Sequence, residues 1–202
     1  MHTTTASFTL HYWKQREKGE KRLFGWQGTS EEFGDIKVTN ERHNHHESLT
    51  AEVRGDAIPT ATLESRGIHT DVMSRPSLNR ATLRVGDAHV YTTRNRLGMT
   101  HRGRSLMLKY AGDKYRLTAI NRRAFVLRRE ADDEDPGVII TVRETGIGSR
   151  KKFTIGVEKR AVGADIALAA LFVGVDRATL TRRGAVRAGI SRVFNLSLQS
   201  QY

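Results

Sequence analysis

Cysteine is absent from the 202 residues, so a disulfide scaffold, a thiolate metal site and cysteine catalysis are excluded together. Proline is scarce, with only Pro59, Pro76 and Pro136, and no stretch rich in Pro, Gly or Ser reads as a linker. A boundary near residues 74–77 is not forced. With no internal repeat either, one β-rich domain over residues 1–202 is the expectation. Long apolar runs are missing too. The longest, from Ile166 to Val175, is about half of what a bilayer-crossing helix needs. Residues 1–10 show no basic stretch followed by an apolar one, so nothing there reads as a secretion signal. A soluble, cytoplasmic protein without a transmembrane segment is expected. Catalytic signatures are lacking: neither G-x-S-x-G nor H-E-x-x-H occurs. Carboxylates cluster only at residues 130–135, where nothing apolar would raise a pKa for acid work. The expectation is a non-enzymatic protein with no cofactor.

What is present in excess is positive charge, +12 net. Residues 1–91 hold 12 Lys and Arg against 12 Asp and Glu, whereas residues 92–202 hold 22 against 10. Five of those ten acids lie between Glu130 and Asp135, a solvated loop or one that folds back onto the basic surface. Between Arg94 and Arg129 stand 11 bases and one acid, Asp113. Such a field suits a polyanion: nucleic acid, an anionic membrane surface or a phosphorylated ligand. A solvated basic face without a ligand is the alternative.

Period-two runs dominate the chain. Residues 7–13 place Phe8, Leu10 and Tyr12 on one side. Residues 81–85 and 89–93 flank Gly86-Asp87, a hairpin signal. Residues 105–110 and 114–120 flank a second turn at 111–113, and 124–128 follow the turn Asn121-Arg122-Arg123. Residues 137–142 and 152–157 flank a third turn at 145–149. Weaker strands are expected at 36–38, 49–53, 60–63 and 68–72. Short strands at this spacing predict a barrel or sandwich. After them comes one segment, Ala164 to Val175, apolar all round with Asp165 at its start. A helix without a polar stripe must be enclosed on every side, and 12 residues reach only about 18 Å. The reading is a mainly β chain: a closed antiparallel barrel around one buried hydrophobic helix near the C-terminus.

The strand meander from Ala81 to Arg129, the hairpin from Val138 to Val157 and the apolar Ala164–Val175 resemble the tubby C-terminal-like superfamily. That superfamily includes tubby domains, LURP-one-related proteins and phospholipid scramblases. The likeness covers residues 81–194, with residues 1–80 left to supply further strands. It implies a barrel with a hydrophobic helix along its axis. Members that bind ligands use basic residues to hold phosphoinositide head groups, so it also implies anionic lipid as a class of partner, through peripheral membrane contact.

Three candidate sites follow. His43, His45 and His46, with Glu41 and Glu47, have a spacing that can hold zinc, nickel or copper. They lack a visible third ligand and supporting shell, so no metal is expected. Gly146 to Lys152 places two glycines and a serine before three cations and reads as a hairpin turn whose glycines supply positive φ, with phosphate contact through Arg150, Lys151 and Lys152. Arg182, Arg183, Arg187 and Arg192 lie in a segment, residues 177–198, that fits a basic amphipathic helix or a closing strand about equally. The anion-binding set is Arg122, Arg123, Arg150, Lys151 and Lys152. All five sit at or next to turns, and turns two strands apart in a meander share one end of a barrel. Nucleic acid is the alternative partner for the same surface, although Tyr110, Tyr115 and Phe125 alternate with apolar residues as core side chains do. A structural subunit meeting a protein partner through its basic face is the third reading.

Overall fold

The computed structural model describes residues 5–15, 23–42, 48–66, 75–94 and 104–181. These form a mainly β protein, a closed antiparallel barrel of 12 strands with one α-helix. The first half of the sheet contains β1 (Thr5–Gln15), β2 (Leu23–Ser30), β3 (Gly34–Arg42), β4 (Ser48–Gly55), β5 (Ala61–Arg66) and β6 (Ala81–Val85). The second contains β7 (Ala88–Arg94), β8 (Leu106–Tyr110), β9 (Asp113–Ala119), β10 (Ala124–Arg129), β11 (Val138–Thr145) and β12 (Lys152–Glu158). Every strand pairs with its neighbours in sequence, and β1 against β12, with Phe8 opposite Ile155, closes the ring. Closure leaves no edge strand to attract another chain.

Alternation explains the register. In β4 the buried positions are Leu49, Ala51 and Val53; in β12 they are Phe153, Ile155 and Val157. The weak patterns expected at 36–38 and 49–53 are parts of longer strands, the one at 60–63 overlaps β5 from Ala61 onward, and 68–72 lies outside the described residues. The strand β2 is not evident from its sequence, because Gly25 and Gly28 interrupt the apolar pattern. Close approach explains both: a Cβ at Gly25 would collide with the Val38 carbonyl, and one at Gly28 with the Thr9 carbonyl. Trp26 between them is fully buried and meets Phe153 edge to face at 5.3 Å.

The helix α1 runs over Gly163–Leu171, nine residues rather than the expected span from Ala164 to Val175. The chain tightens after it, with Val173 N–H donating to Ala170 O and Gly174 N–H to Leu171 O. Ile166 to Val173 expose no surface, and the helix contacts β3, β4, β5, β6 and β11.

In an up-and-down meander successive connections alternate between the two ends. One rim carries residues 31–33, 56–60, 86–87, 111–112 and 130–137, plus 159–162 leading into α1. Those segments hold nine acids against two bases, Lys159 and Arg160. The other rim carries, among the described residues, 75–80, 104–105, 120–123 and 146–151, and 172–181 after α1. They hold eight bases against one acid, Asp176. Charge is therefore divided by rim and not by sequence half. The acidic stretch 130–135 lies at the rim opposite Arg122, Arg123 and Arg150 and does not fold back onto them.

Candidate functional site: the basic rim

Two turns build the part of this rim that the sequence singles out. Between β9 and β10 the chain reverses through Asn121, whose Oδ1 accepts the Arg123 N–H at 2.7 Å, an Asx turn. Between β11 and β12 it reverses through Gly146 (φ 79°), Ile147 and Gly148 (φ 61°) into a 3-10 turn at Gly148–Arg150. Only glycine fits at 146, where φ is positive and a Cβ would strike the Arg150 carbonyl. The two turns share one end and are joined directly: Glu144 N–H donates to the Arg123 carbonyl at 2.6 Å. Strand spacing sets them about 10 Å apart along the rim.

The five expected anion ligands divide by environment. Arg122, Arg123 and Arg150 are exposed, and no carboxylate among the described residues pairs with them. Lys151 is half-buried and bridges to Glu144 at 3.2 Å, so one of its roles is internal. Lys152 opens β12 on the outer wall, opposite His11 and Thr145. The structure thus groups Arg122, Arg123 and Arg150 as accessible cations and sets Lys151 and Lys152 slightly apart from them.

Sequence reasoning missed Arg177. This side chain is 6% exposed, donates to the carbonyls of Phe172 and Val175, and lies 4.4 Å over the Phe125 ring. It caps the C-terminal end of α1, where orphan carbonyls and the helix dipole both favour a cation. Burial pulls its pKa down to about 10; nearby Arg75 adds to the shift, and Glu144 and Asp176 oppose it. The guanidinium remains charged at neutral pH. Arg75 lies 4.7 Å over the Trp26 ring and Arg104 is 6% exposed, so among the described residues this rim sets Arg75, Arg104 and Arg177 inward and Arg80, Arg122, Arg123 and Arg150 outward.

The opposite rim holds a buried pair the sequence also concealed. Arg129 donates to Asp165 through Nε at 3.0 Å and Nη2 at 3.3 Å, and to Asp135 through Nη1 at 2.7 Å. Asp165 in turn accepts the Val162 N–H at 2.9 Å, closing the start of α1. Burial opposes the charge on Arg129, but its hydrogen bond to Asp135 and its pairing with Asp165 outweigh that and raise its pKa. Beside it, burial pushes the Tyr115 phenol well above its ordinary value. The Arg129–Asp165 pair, with the Val162 N–H, anchors the start of the helix. The signal available was Arg129 on the inward phase of β10, after Phe125 and Leu127.

Among the described residues no group of three or more His, Asp or Glu could hold a metal; His43, His45, His46 and Glu47 lie outside them. So do Arg182, Arg183, Arg187 and Arg192. No described helix is long and apolar enough to cross a membrane. Compared with protein-family models, curated proteins and solved structures, the chain finds no match.

Proposed function

We propose that this chain is a non-enzymatic, cytoplasmic binding module whose basic rim holds an anionic phospholipid head group or another phosphorylated ligand. The barrel is threaded along its axis by α1, in the manner of the tubby-like superfamily. Sequential pairing of all 12 strands, and an apolar helix buried from Asp165 to Leu171 after the last of them, support that kinship. The observation that carries the function is the rim itself. Arg122, Arg123 and Arg150 project from two hydrogen-bonded turns with no described carboxylate to neutralise them, where eight bases stand against one acid. A phosphate brought there meets several cations at once.

Reversing Arg122 and Arg150 together to Glu tests this without disturbing the Lys151–Glu144 bridge. Each cation near an anionic surface contributes on the order of 1 kcal/mol, so affinity for phosphatidylserine-containing vesicles should fall by well over tenfold. Lys109 and Lys114 form a cross-strand pair beside the acidic rim, and their reversal should do far less. Lys14 is a poorer control, because β1 ends at the basic rim. Equal losses from the two pairs would mean diffuse attraction, and no loss from either removes the reading. Stronger binding to DNA or RNA than to vesicles at matched salt would favour the nucleic-acid alternative.

A further inference from the structure

The large apolar side chains that remain exposed among the described residues are Tyr91, Ile120, Ile147 and Val162. Two of these four stand on the basic rim. Ile147 is 79% exposed at the tip of the β11–β12 turn, and Ile120 is 49% exposed at the start of the β9–β10 turn. Each lies within three residues of an exposed arginine: Ile120 near Arg122 and Arg123, Ile147 near Arg150. Ile147 cannot fold inward. Positive-φ glycines bracket it, and the Arg150 N–H fixes its carbonyl at 3.1 Å. The outer wall and the acidic rim carry Tyr91 and Val162 singly, as ordinary surfaces do. Among the described residues, only the basic rim sets paired apolar tips beside unneutralised cations on turns that are tied together.

That combination matches the chemistry of one partner. A soluble inositol phosphate would satisfy the arginines and leave the isoleucines in water. Single-stranded nucleic acid would call for aromatic faces on which bases stack, and no exposed aromatic lies in the described turns of this rim. A bilayer interface satisfies both groups, with phosphates at the level of the guanidiniums and acyl chains just below. We propose that the basic rim docks end-on against an anionic bilayer, with Ile147 and Ile120 inserted beneath the phosphates and Arg122, Arg123 and Arg150 at their level. The barrel axis then stands upright and the acidic rim points away, where the membrane's negative potential repels it least. This rests on the anion-binding reading above and commits it to a lipid surface.

The absence of native cysteine makes single-site labelling direct. An environment-sensitive fluorophore on Ile147→Cys, or on Ile120→Cys, should shift to the blue on phosphatidylserine-containing vesicles and be quenched by shallow bilayer quenchers. The same label on Asp87→Cys at the acidic rim should not respond. Converting both isoleucines to Ser keeps every charge and should weaken vesicle partitioning by more than about tenfold. Its binding to soluble inositol hexakisphosphate, and its melting temperature, should match those of the unmodified chain. If the protein floats with vesicles while the label at 147 stays in water, or if the double Ser variant floats equally well, insertion is overturned and anion binding stands. Binding to inositol hexakisphosphate without any flotation likewise overturns insertion and leaves anion binding standing. Binding to neither overturns both readings.

Discussion

Each end of α1 is met by a buried arginine, and the two are held in opposite ways. At the acidic rim Arg129 is held by two carboxylates, Asp165 and Asp135. At the basic rim Arg177 is held by two backbone carbonyls and the face of Phe125. The dipole of α1 favours an acid at its start, Asp165, which Arg129 pairs, and a cation beyond its end, Arg177. The difference lies in what remains. Arg129 is matched by its two carboxylates, and beside it Arg116 pairs with Glu130 at 3.2 Å. On the rim of Arg177, the exposed Arg122, Arg123 and Arg150 meet no acid among the described residues. One rim therefore carries an ion pair that fixes the start of the helix, and the other leaves three exposed arginines without a described carboxylate.

The largest effect should come from separating the two rims at the core they share. Leu171 ends α1 with no exposed surface. Leu171→Asp places an unpaired carboxylate among apolar side chains, a penalty of several kcal/mol or more. Against a total stability of ~5–15 kcal/mol for a domain, the variant should be largely unfolded by circular dichroism. A folded variant with an unchanged melting temperature would mean that α1 is not enclosed.

A smaller contrast tests the arginines directly. Arg129→Met leaves the Asp165 carboxylate buried without a counter-charge, which costs roughly 3–5 kcal/mol. Arg177→Met leaves only carbonyls unpaired and also removes a buried cation, so about 1–3 kcal/mol is expected. Denaturant midpoints of the two variants measure the difference. The reverse order would show that Arg177, and not the ion pair, is the main fastening of the helix.

The fold is legible because its signals are local. Gly86-Asp87, the 111–113 turn and Gly146 to Gly148 punctuate alternating strands, and a helix apolar on every side can only be enclosed. Gly25 and Gly28 hide β2, since their reason is a neighbouring backbone that the sequence does not display. The pattern places the end of α1 too late because Val173, Gly174 and Val175 are as apolar as the helix, while the hydrogen bonds that tighten the turn come from tertiary packing. Charge is the most misleading signal. Counting by halves places all of the excess in residues 92–202, yet a meander sends alternate connections to opposite ends. Glu130 to Asp135 thereby join Glu31, Glu32, Asp56 and Asp87, and Arg75 and Arg80 join Arg122, Arg123 and Arg150. The grouping of Arg122 with Arg150 is legible because it depends on connectivity alone. Arg177 is not, since its value as a cap exists only once the helix ends beside it.

The smallest effect sharpens the picture of the acidic rim, where two carboxylates should respond to pH in opposite directions. The hydrogen bond from Arg129, followed by that from the Gly137 N–H, holds Asp135 below its ordinary pKa of 3.8. Its folded value is the lower one, so its contribution to stability is present above about 3.8 and is lost as pH falls through that lowered value. Asp113 is raised instead, first by burial and then by the neighbouring carboxylates Asp165, Asp132 and Asp135, with Arg129 opposing. The folded state favours its protonated form, so stability from this group declines as pH rises from 3.8 through the raised value. Asp135→Asn should therefore lower the melting temperature at neutral pH and lose that effect toward pH 2. Asp113→Asn should raise it slightly at neutral pH and likewise converge with the unmodified chain in acid. Melting curves between about pH 2 and pH 7 read both shifts. If the two variants moved together across that range, the acidic rim would be acting as a uniform negative field, without the specific clamp on Arg129 that sets it apart from the basic rim.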